Sequence, residues 1–510
     1  MTNVPQSYEN NLQLVSIDEG TLHDVLQELR RAVRQGVQAI EDNAPLPATQ
    51  EELGTLYNDD LGIDLMFLRL EHQARYLAKR EPVEALTLSN LRINPNISRA
   101  SNLRPGRLSP LGSASLGAAV VRMVVGAVHR GNTSGNAPSR IHRRDIETVH
   151  EAVNIAIEEG QQLGGDEALY GRAGLLWAVL NLRKLRFDAA SREALEPVFD
   201  AIPKLVGNII GAGILGAQEY LEMYGESSAL PLMWPWHGKY YAGAIHGIAG
   251  ILADLLICEP NELEVGPSGS HLPIIARTIS GLCKLCISSN GHFPSSLPPR
   301  PSSRRSPLVQ ICHGPPGLLL LLSYAKSHKQ LAYSYWEPDW DKAIRLASER
   351  VWEEGLLSKG GGLCHGIAGN AWPFLSLHDT FEYEKETITQ SRQAYQERTG
   401  NTPLDEGLSG DYFLSRALTF LLYAQKTRPF QESEDSVAKF RLPDAPYSLF
   451  EGLAGTICAW TDACVVIEAR LRKMELDEKQ GATAFEDDNV FQEHLQHELG
   501  IPGFSVHGWL

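Results

Sequence analysis

The stretch 359-KGGGLCHGIAGNAWPF-374 sets a cysteine and a histidine side by side in a glycine-rich turn that runs into an apolar segment. Its G-x-x-G spacing returns four more times: Gly171 and Gly174 in LYGRAGLLWAVLNL, Gly247 and Gly250 in AIHGIAGILADLL, Gly314 and Gly317 in CHGPPGLLLLLSYA, and Gly452 and Gly455 in LFEGLAGTICAWTD. Each copy leads into Ala- and Leu-rich sequence with few β-branched interruptions, a helix-start signature in which glycine allows close approach or positive φ. One copy would carry no weight, but five make a repeat, and a repeat is a property of the fold. The segments after the glycines are apolar nearly all round, as buried helices are.

Between the copies lies room for a second helix, a return loop and insertions. DYFLSRALTFLLYAQ (411–425) and DWDKAIRLASERVWEEGL (339–356) carry the mixed pattern of outer helices, the latter starting after Pro338 with acidic residues at the positive end of its dipole. Two degraded candidates for inner helices precede Gly171, at 56–78 and 111–128, and raise the number of units to seven. The expected architecture is all-α: inner helices shielded by outer ones, with the glycine turns on one rim. A set of unrelated helical hairpins is the plainer alternative. Residues 1–53 read as an N-terminal extension and first outer helix, with a polar, proline-containing loop at 36–52. The helical body spans 54–510, with basic insertions at about 92–145 and 288–307 whose arginines suit a solvated surface or an acidic partner.

The 510-residue chain is 43% hydrophobic and can bury a large core. Its net charge of −16 argues against a general nucleic-acid surface. The polar opening MTNVPQSYENNLQLVS does not read as a secretory leader, and no apolar run reads as long enough to cross a bilayer. Seven cysteines make an odd set in a large chain, which favours reduced thiols in the cytoplasm over a disulfide framework.

Cys312-His313 and Cys364-His365 stand just before the first glycine of two successive turns. Thiolate and imidazole are good zinc ligands, and a catalytic zinc keeps three protein ligands and one open position. The preferred set is Cys312, Cys364 and His365. Two structural cysteines with capping histidines, or a Cys/His nucleophilic dyad, are the alternatives. His246 occupies the turn one unit earlier, where an imidazole could move a proton or merely tie the turn together. His237 is a weaker second candidate. Cys283 and Cys286 form a C-x-x-C inside a helical segment and read as buried thiols, as do Cys258, Cys458 and Cys464.

YAGAIHGIAG, ICHGPPG, GLCHGIAGN and PYSLFEGLAG, in that order, resemble the lanthionine synthetase C family and its eukaryotic LanC-like branch. The resemblance runs from about residue 54 to the C-terminus. It implies an α/α toroid of seven inner and seven outer helices and a Zn2+ held by Cys312, Cys364 and His365. It further implies addition of a thiol, glutathione in this branch, to dehydroalanine or dehydrobutyrine residues of peptides or proteins, forming a thioether. His246 matches the proton-transfer histidine. An acidic residue supports that histidine in the family, and DEALYGRAG offers Asp166 and Glu167; counting back four places from Gly171 selects Glu167, where the family has aspartate. Lys359 matches a glutathione-contacting lysine. A non-catalytic zinc- and glutathione-binding signalling protein, peripheral at the plasma membrane, is the competing expectation. Glycoside hydrolysis would need an opposed acid pair; the turns offer thiols and imidazoles instead of a convincing one, and Glu451, at a rim position, could equally cap its own turn.

Overall fold

A backbone carbonyl oxygen stands six residues behind the second glycine of every G-x-x-G turn, and it leaves no room for a side chain. A Cβ on Gly174, Gly250, Gly317, Gly369 or Gly455 would fall within 3.0 Å of the oxygen of Ala168, Ala244, Ile311, Leu363 or Leu449 respectively. The same constraint marks the two degraded units, where Gly62 meets the Leu56 oxygen and Gly117 the Pro110 oxygen. The first glycines are helix caps, and those at 171, 247 and 366 are extended with negative φ. Only Gly314, at φ 143°, needs the conformation that favours glycine. Space, more than dihedral freedom, dictates the repeat.

The computed structural model describes residues 4–49, 53–77, 91–94, 103–128, 141–162, 164–265, 269–299, 307–479, 481 and 483–505. Within them, Asp60–His72, Ala114–Val128, Arg172–Lys184, Ile248–Leu255, Pro315–Ser327, Ile367–Tyr383 and Leu453–Lys479 follow the glycine turns, and each touches the next, the last returning to the first. These inner helices are buried almost throughout. Outside them, Arg143–Glu158 packs on Ala114–Val128, Ile202–Tyr224 on Arg172–Lys184, Pro338–Glu354 on Pro315–Ser327 and Gly410–Ala424 on Ile367–Tyr383. Glu19–Asn43 lies along Leu453–Lys479, so the first long helix covers the last inner one.

Three details differ from the sequence reading. The first helix runs to Asn43 instead of giving way to a loop at 36, because Gly36 lets it approach Ile457 and Trp460 while Val37 and Ile40 bury. The outer helix at 338 includes its proline as the first residue, where the missing N–H would have had no partner. One helical stretch, Ala189–Tyr224, is long and apolar enough by length and composition to cross a bilayer; interleaved Gly and Ala hide it from inspection, and 61% of its apolar window is buried inside the fold. Much of the 92–145 and 288–307 insertions, including 95–102, 129–140 and 300–306, lies outside the described residues. Residues 288–299 do not simply hang in solvent: Phe293 is buried, and Ser296–Leu297 pairs antiparallel with Tyr240–Tyr241.

The axis of the ring is filled by the chain itself. Arg69 donates to the Gly500 carbonyl at 2.6 Å, Gly500 N–H donates to Asp462 at 2.7 Å, and Trp177 reaches Ser505 at 3.2 Å. Tyr324 donates to the Phe504 carbonyl, and Ile501 and Phe504 are fully buried. Beside this segment a cavity of about 400 Å³ is walled by Asp379 and Glu498. Burial, reinforced by neighbouring carboxylates, pushes Asp379 up to about 7 and raises Glu498 well above its ordinary value.

Two outcomes follow. Gly369→Ala should cost about 3 kcal/mol in denaturant unfolding, since the Leu363 carbonyl cannot move aside; Gly207→Ala, in a helix with nothing near its Cβ position, should be neutral or stabilise by about 0.5–1 kcal/mol. An acid that binds its proton more tightly folded than unfolded loses stability as pH rises through that window. Unfolding free energy should therefore fall between about pH 4 and pH 7 through the Asp379–Glu498 pair, and Asp379→Asn should flatten the fall.

Candidate metal centre

Each inner helix starts at the rim, so the turns before them are neighbours, and backbone hydrogen bonds stitch them together. Ala244 N–H donates to the Ile311 carbonyl (3.1 Å), Cys312 to Cys364 (3.3 Å), Cys364 to Phe450 (2.8 Å), Phe450 to Tyr57 (3.0 Å), Tyr57 to Leu111 (3.1 Å) and Leu108 to Tyr170 (2.7 Å). Two Cys-His turns locked edge to edge must bring their cysteines together. Sulfur of Cys312, sulfur of Cys364 and an imidazole nitrogen of His365 all lie within 4.8 Å of one another, the one such group of three among the described residues. Both cysteines are buried and His365 is half-buried.

The donor set fits a metal. The Cys312 thiol is shifted below its ordinary pKa: burial opposes this, but hydrogen bonds from Cys364 and from Gln310 (Nε2 to Sγ, 3.0 Å) and the charge of Lys359 outweigh it. Cys364 is raised well above the ordinary value by its hydrogen bond to Cys312 and by burial. The two sulfurs are hydrogen-bonded to each other, and a soft divalent cation would take the place between them. Two thiolates and an imidazole suit zinc, and three protein ligands leave one coordination position for another molecule.

His246 stands on the next turn. Its Nδ1 meets Oε2 of Glu167 at 2.8 Å, and Glu167 is buried with its carboxylate also accepting from the N–H groups of Leu169 (3.1 Å) and Tyr170 (2.6 Å). This contact bridges the turns at 166–171 and 242–247, between which the described residues show no backbone hydrogen bond. Burial disfavours the charged imidazole, but Glu167 and then Cys364 outweigh it, so His246 titrates above the ordinary histidine value. Asp166 goes elsewhere: it is buried against Arg172, with Nε donating at 2.7 Å, and Arg172 also donates to the Gln162 carbonyl. The acid that meets the imidazole is Glu167.

Lys359 is exposed on the turn that follows Leu356–Leu357, a strand paired antiparallel with Ser7–Tyr8. Its charge reaches Cys312. Ser358 accepts this N-terminal strand as a clasp, donating from N to Gln6 (3.1 Å) and from Oγ to Pro5 (2.5 Å). His237 sits in an exposed hairpin with its ring edge-on to Trp236. Cys283 and Cys286 are buried in Leu272–Ser288, where desolvation raises both, Cys286 to about 12.

Sequence reasoning missed Tyr57, Gln310 and Tyr241 at the site and treated His313 only as the neighbour of Cys312. Tyr57 stacks on Phe450 (4.7 Å) and hydrogen-bonds Cys364; Gln310 holds Cys312. Tyr241 and His313 lie 5.4 Å apart between ring centroids, each about 6 Å from His246. Gln310 and His313 flank a cysteine already singled out. Tyr57 sits at the same place before Asp59-x-x-Gly62, a turn whose first glycine is replaced by the Asp59 cap.

Residues 55–476 match the sequence model of the Lanthionine synthetase C-like protein family, and the chain belongs to that family. It is similar to LanC-like protein GCL1 of Arabidopsis thaliana, 31% identical over 322 residues, which covers 62% of this chain and 60% of that protein. It is also similar to Glutathione S-transferase LANCL1 of Danio rerio, 27% identical over 319 residues, covering 62% and 64%. The aligned part is thus less than two thirds of either relative's length. Among solved structures, nisin cyclase aligns with a TM-score of 0.42 at 18% identity, over 78% of this chain and 99% of that one.

The Glu167 contact predicts a measurable shift. In an NMR titration of the imidazole C–H signals, His246 should titrate above 6.5, the ordinary histidine value, and Glu167→Gln should move that midpoint downward, because the variant keeps the burial and removes the opposing charge. Asp166→Asn should leave the midpoint in place.

Proposed function

We propose that this protein adds a thiol, glutathione, to dehydroalanine or dehydrobutyrine residues in peptides or proteins and forms a thioether. The observation that carries this reading is the convergence of Cys312, Cys364 and His365, from two separate turns, beside an imidazole that a buried carboxylate orients. Membership of the family and likeness to a relative named as a glutathione S-transferase support it. The same reading completes the architecture as a toroid of seven inner and seven outer helices. It has the protein working in the cytoplasm, with peripheral association at the plasma membrane.

Zinc at these three ligands would supply a Lewis acid that keeps an incoming thiol in its nucleophilic, deprotonated form near neutral pH. The rest falls to the chain's own side chains. Inner helices start at this rim, and their positive ends favour the anionic sulfur. Lys359, exposed on its turn, holds a carboxylate of the thiol substrate. Addition forms a carbon–sulfur bond at the β-carbon and leaves the α-carbon as an enolate that needs one proton. With Nδ1 engaged by Glu167, Nε2 of His246 is the nitrogen free to deliver it. Tyr57 and Gln310 fix the two cysteines through hydrogen bonds to sulfur.

Metal analysis of wild type and Cys312→Ala, paired with glutathione addition to a dehydroalanine peptide, tests this. The wild type should hold zinc and form the adduct, and the variant should lose both. His246→Ala should keep its zinc and lose about 10²-fold or more in rate. Zinc in the wild type without any adduct would instead make this a protein that holds metal and glutathione for signalling.

A further inference from the structure

Two cations stand on the His246 side of the rim, each laid against an aromatic ring of the site's surround. The Arg107 guanidinium lies 3.7 Å from the ring centroid of Tyr170 and 5.7 Å from that of Trp236. Tyr170 N–H in turn bonds the Glu167 carboxylate that holds His246. Lys239 Nζ lies 5.9 Å from the ring centroid of Tyr241, which is 6.0 Å from the His246 ring. The three segments meet: Leu108 N–H donates to Tyr170 (2.7 Å), the Tyr170 ring stacks with Trp236 at 5.9 Å between centroids, and Trp236 and Lys239 close their hairpin through paired backbone bonds. A stacked guanidinium keeps its N–H edge free for an anion.

Among the described residues neither cation has a carboxylate within ion-pair distance, although acidic side chains outnumber basic ones 62 to 46 in the chain. Most described arginines do find one, including Arg69, Arg122, Arg172, Arg183 and Arg192. The Glu159 carboxylate near the Arg107 turn is engaged by the Gly106 N–H at 3.0 Å. Two unneutralised cations on rigid aromatic seats, in an acidic protein, mark a surface whose counter-charge arrives with a ligand.

We propose that Arg107 and Lys239 form an anion-binding wall for the acceptor polypeptide, taking Asp or Glu side chains that flank its dehydroamino acid. This rests on the function proposed above, which places the thiol on the metal and Lys359 side and the acceptor carbon at His246. The wall stands with His246, so the anion it meets belongs to the acceptor. The preferred substrates are acidic segments, and basic ones are repelled.

The test uses the zinc-loaded full chain and three dehydroalanine peptides with acidic, neutral or basic flanks, together with fluorescence anisotropy on unreactive alanine versions. The acidic peptide should show a KM roughly fivefold or more below the neutral one, shrinking as salt is raised. Arg107→Gln and Lys239→Gln should each bring the acidic-to-neutral ratio towards one, Arg107→Lys should retain most of it, and Arg107→Glu should turn the preference towards the basic peptide. Equal KM values for the three peptides in the wild type would overturn the proposal, as would a rise in the glutathione KM of Arg107→Gln with the peptide ratio untouched. Absence of adduct with every peptide would sink the reaction instead, and the anisotropy ratio would still decide the wall.

Discussion

A carbonyl oxygen pressed against a glycine Cα, repeated turn after turn, is the contact on which this molecule depends. It lets each inner helix begin tightly folded against its own preceding turn, which places that turn flat on the rim where its neighbour's backbone can reach it. From that edge-to-edge bonding comes the meeting of Cys312 and Cys364, residues that no local rule would place together. The fold and the candidate centre therefore share one cause: glycine spacing sets turn geometry, turn geometry sets which side chains face one another.

The chemistry at the rim is organised by what each side chain is denied. Two buried thiols are packed against each other with an imidazole beside them, so the arrangement favours a cation. His246 is deprived of water on one nitrogen and given a carboxylate there, which leaves its other nitrogen with a defined task. Asp166, one residue before Glu167, is diverted by Arg172 into holding the loop. Adjacent acids have separate functions because each meets a different partner, Arg172 for Asp166 and His246 for Glu167.

Much of this was legible in the chain. The five strong turns and the Cys-His pairs stand out by eye, since steric exclusion and metal ligation each demand specific residue types at fixed offsets. The unit around Gly62 was faint because Asp59, a cap, replaces the first glycine, and the one around Gly117 because Ala114 stands in that place and the facing carbonyl, Pro110, lies seven residues back instead of six. The continuation of the first helix past Gly36 was hidden, because its cause is a partner side chain more than 400 positions away. Tyr57 and Gln310 carry no motif of their own. The choice of Glu167 over Asp166 was suggested by counting and became visible only with the place of Arg172.

The segment 498–505 occupies the centre of the ring, bonded to Arg69, Trp177, Tyr324 and Asp462 from different inner helices. On a chain made from its N-terminal end, these residues emerge after every helix they touch, and the Glu19–Asn43 helix waits equally long for Leu453–Lys479. The hollow core must stay open, with Asp462 lacking its backbone donors, until Leu499 and Gly500 have been made. Closing the centre of the ring is thus a late step that waits for the 498–505 segment, which acts as the stopper.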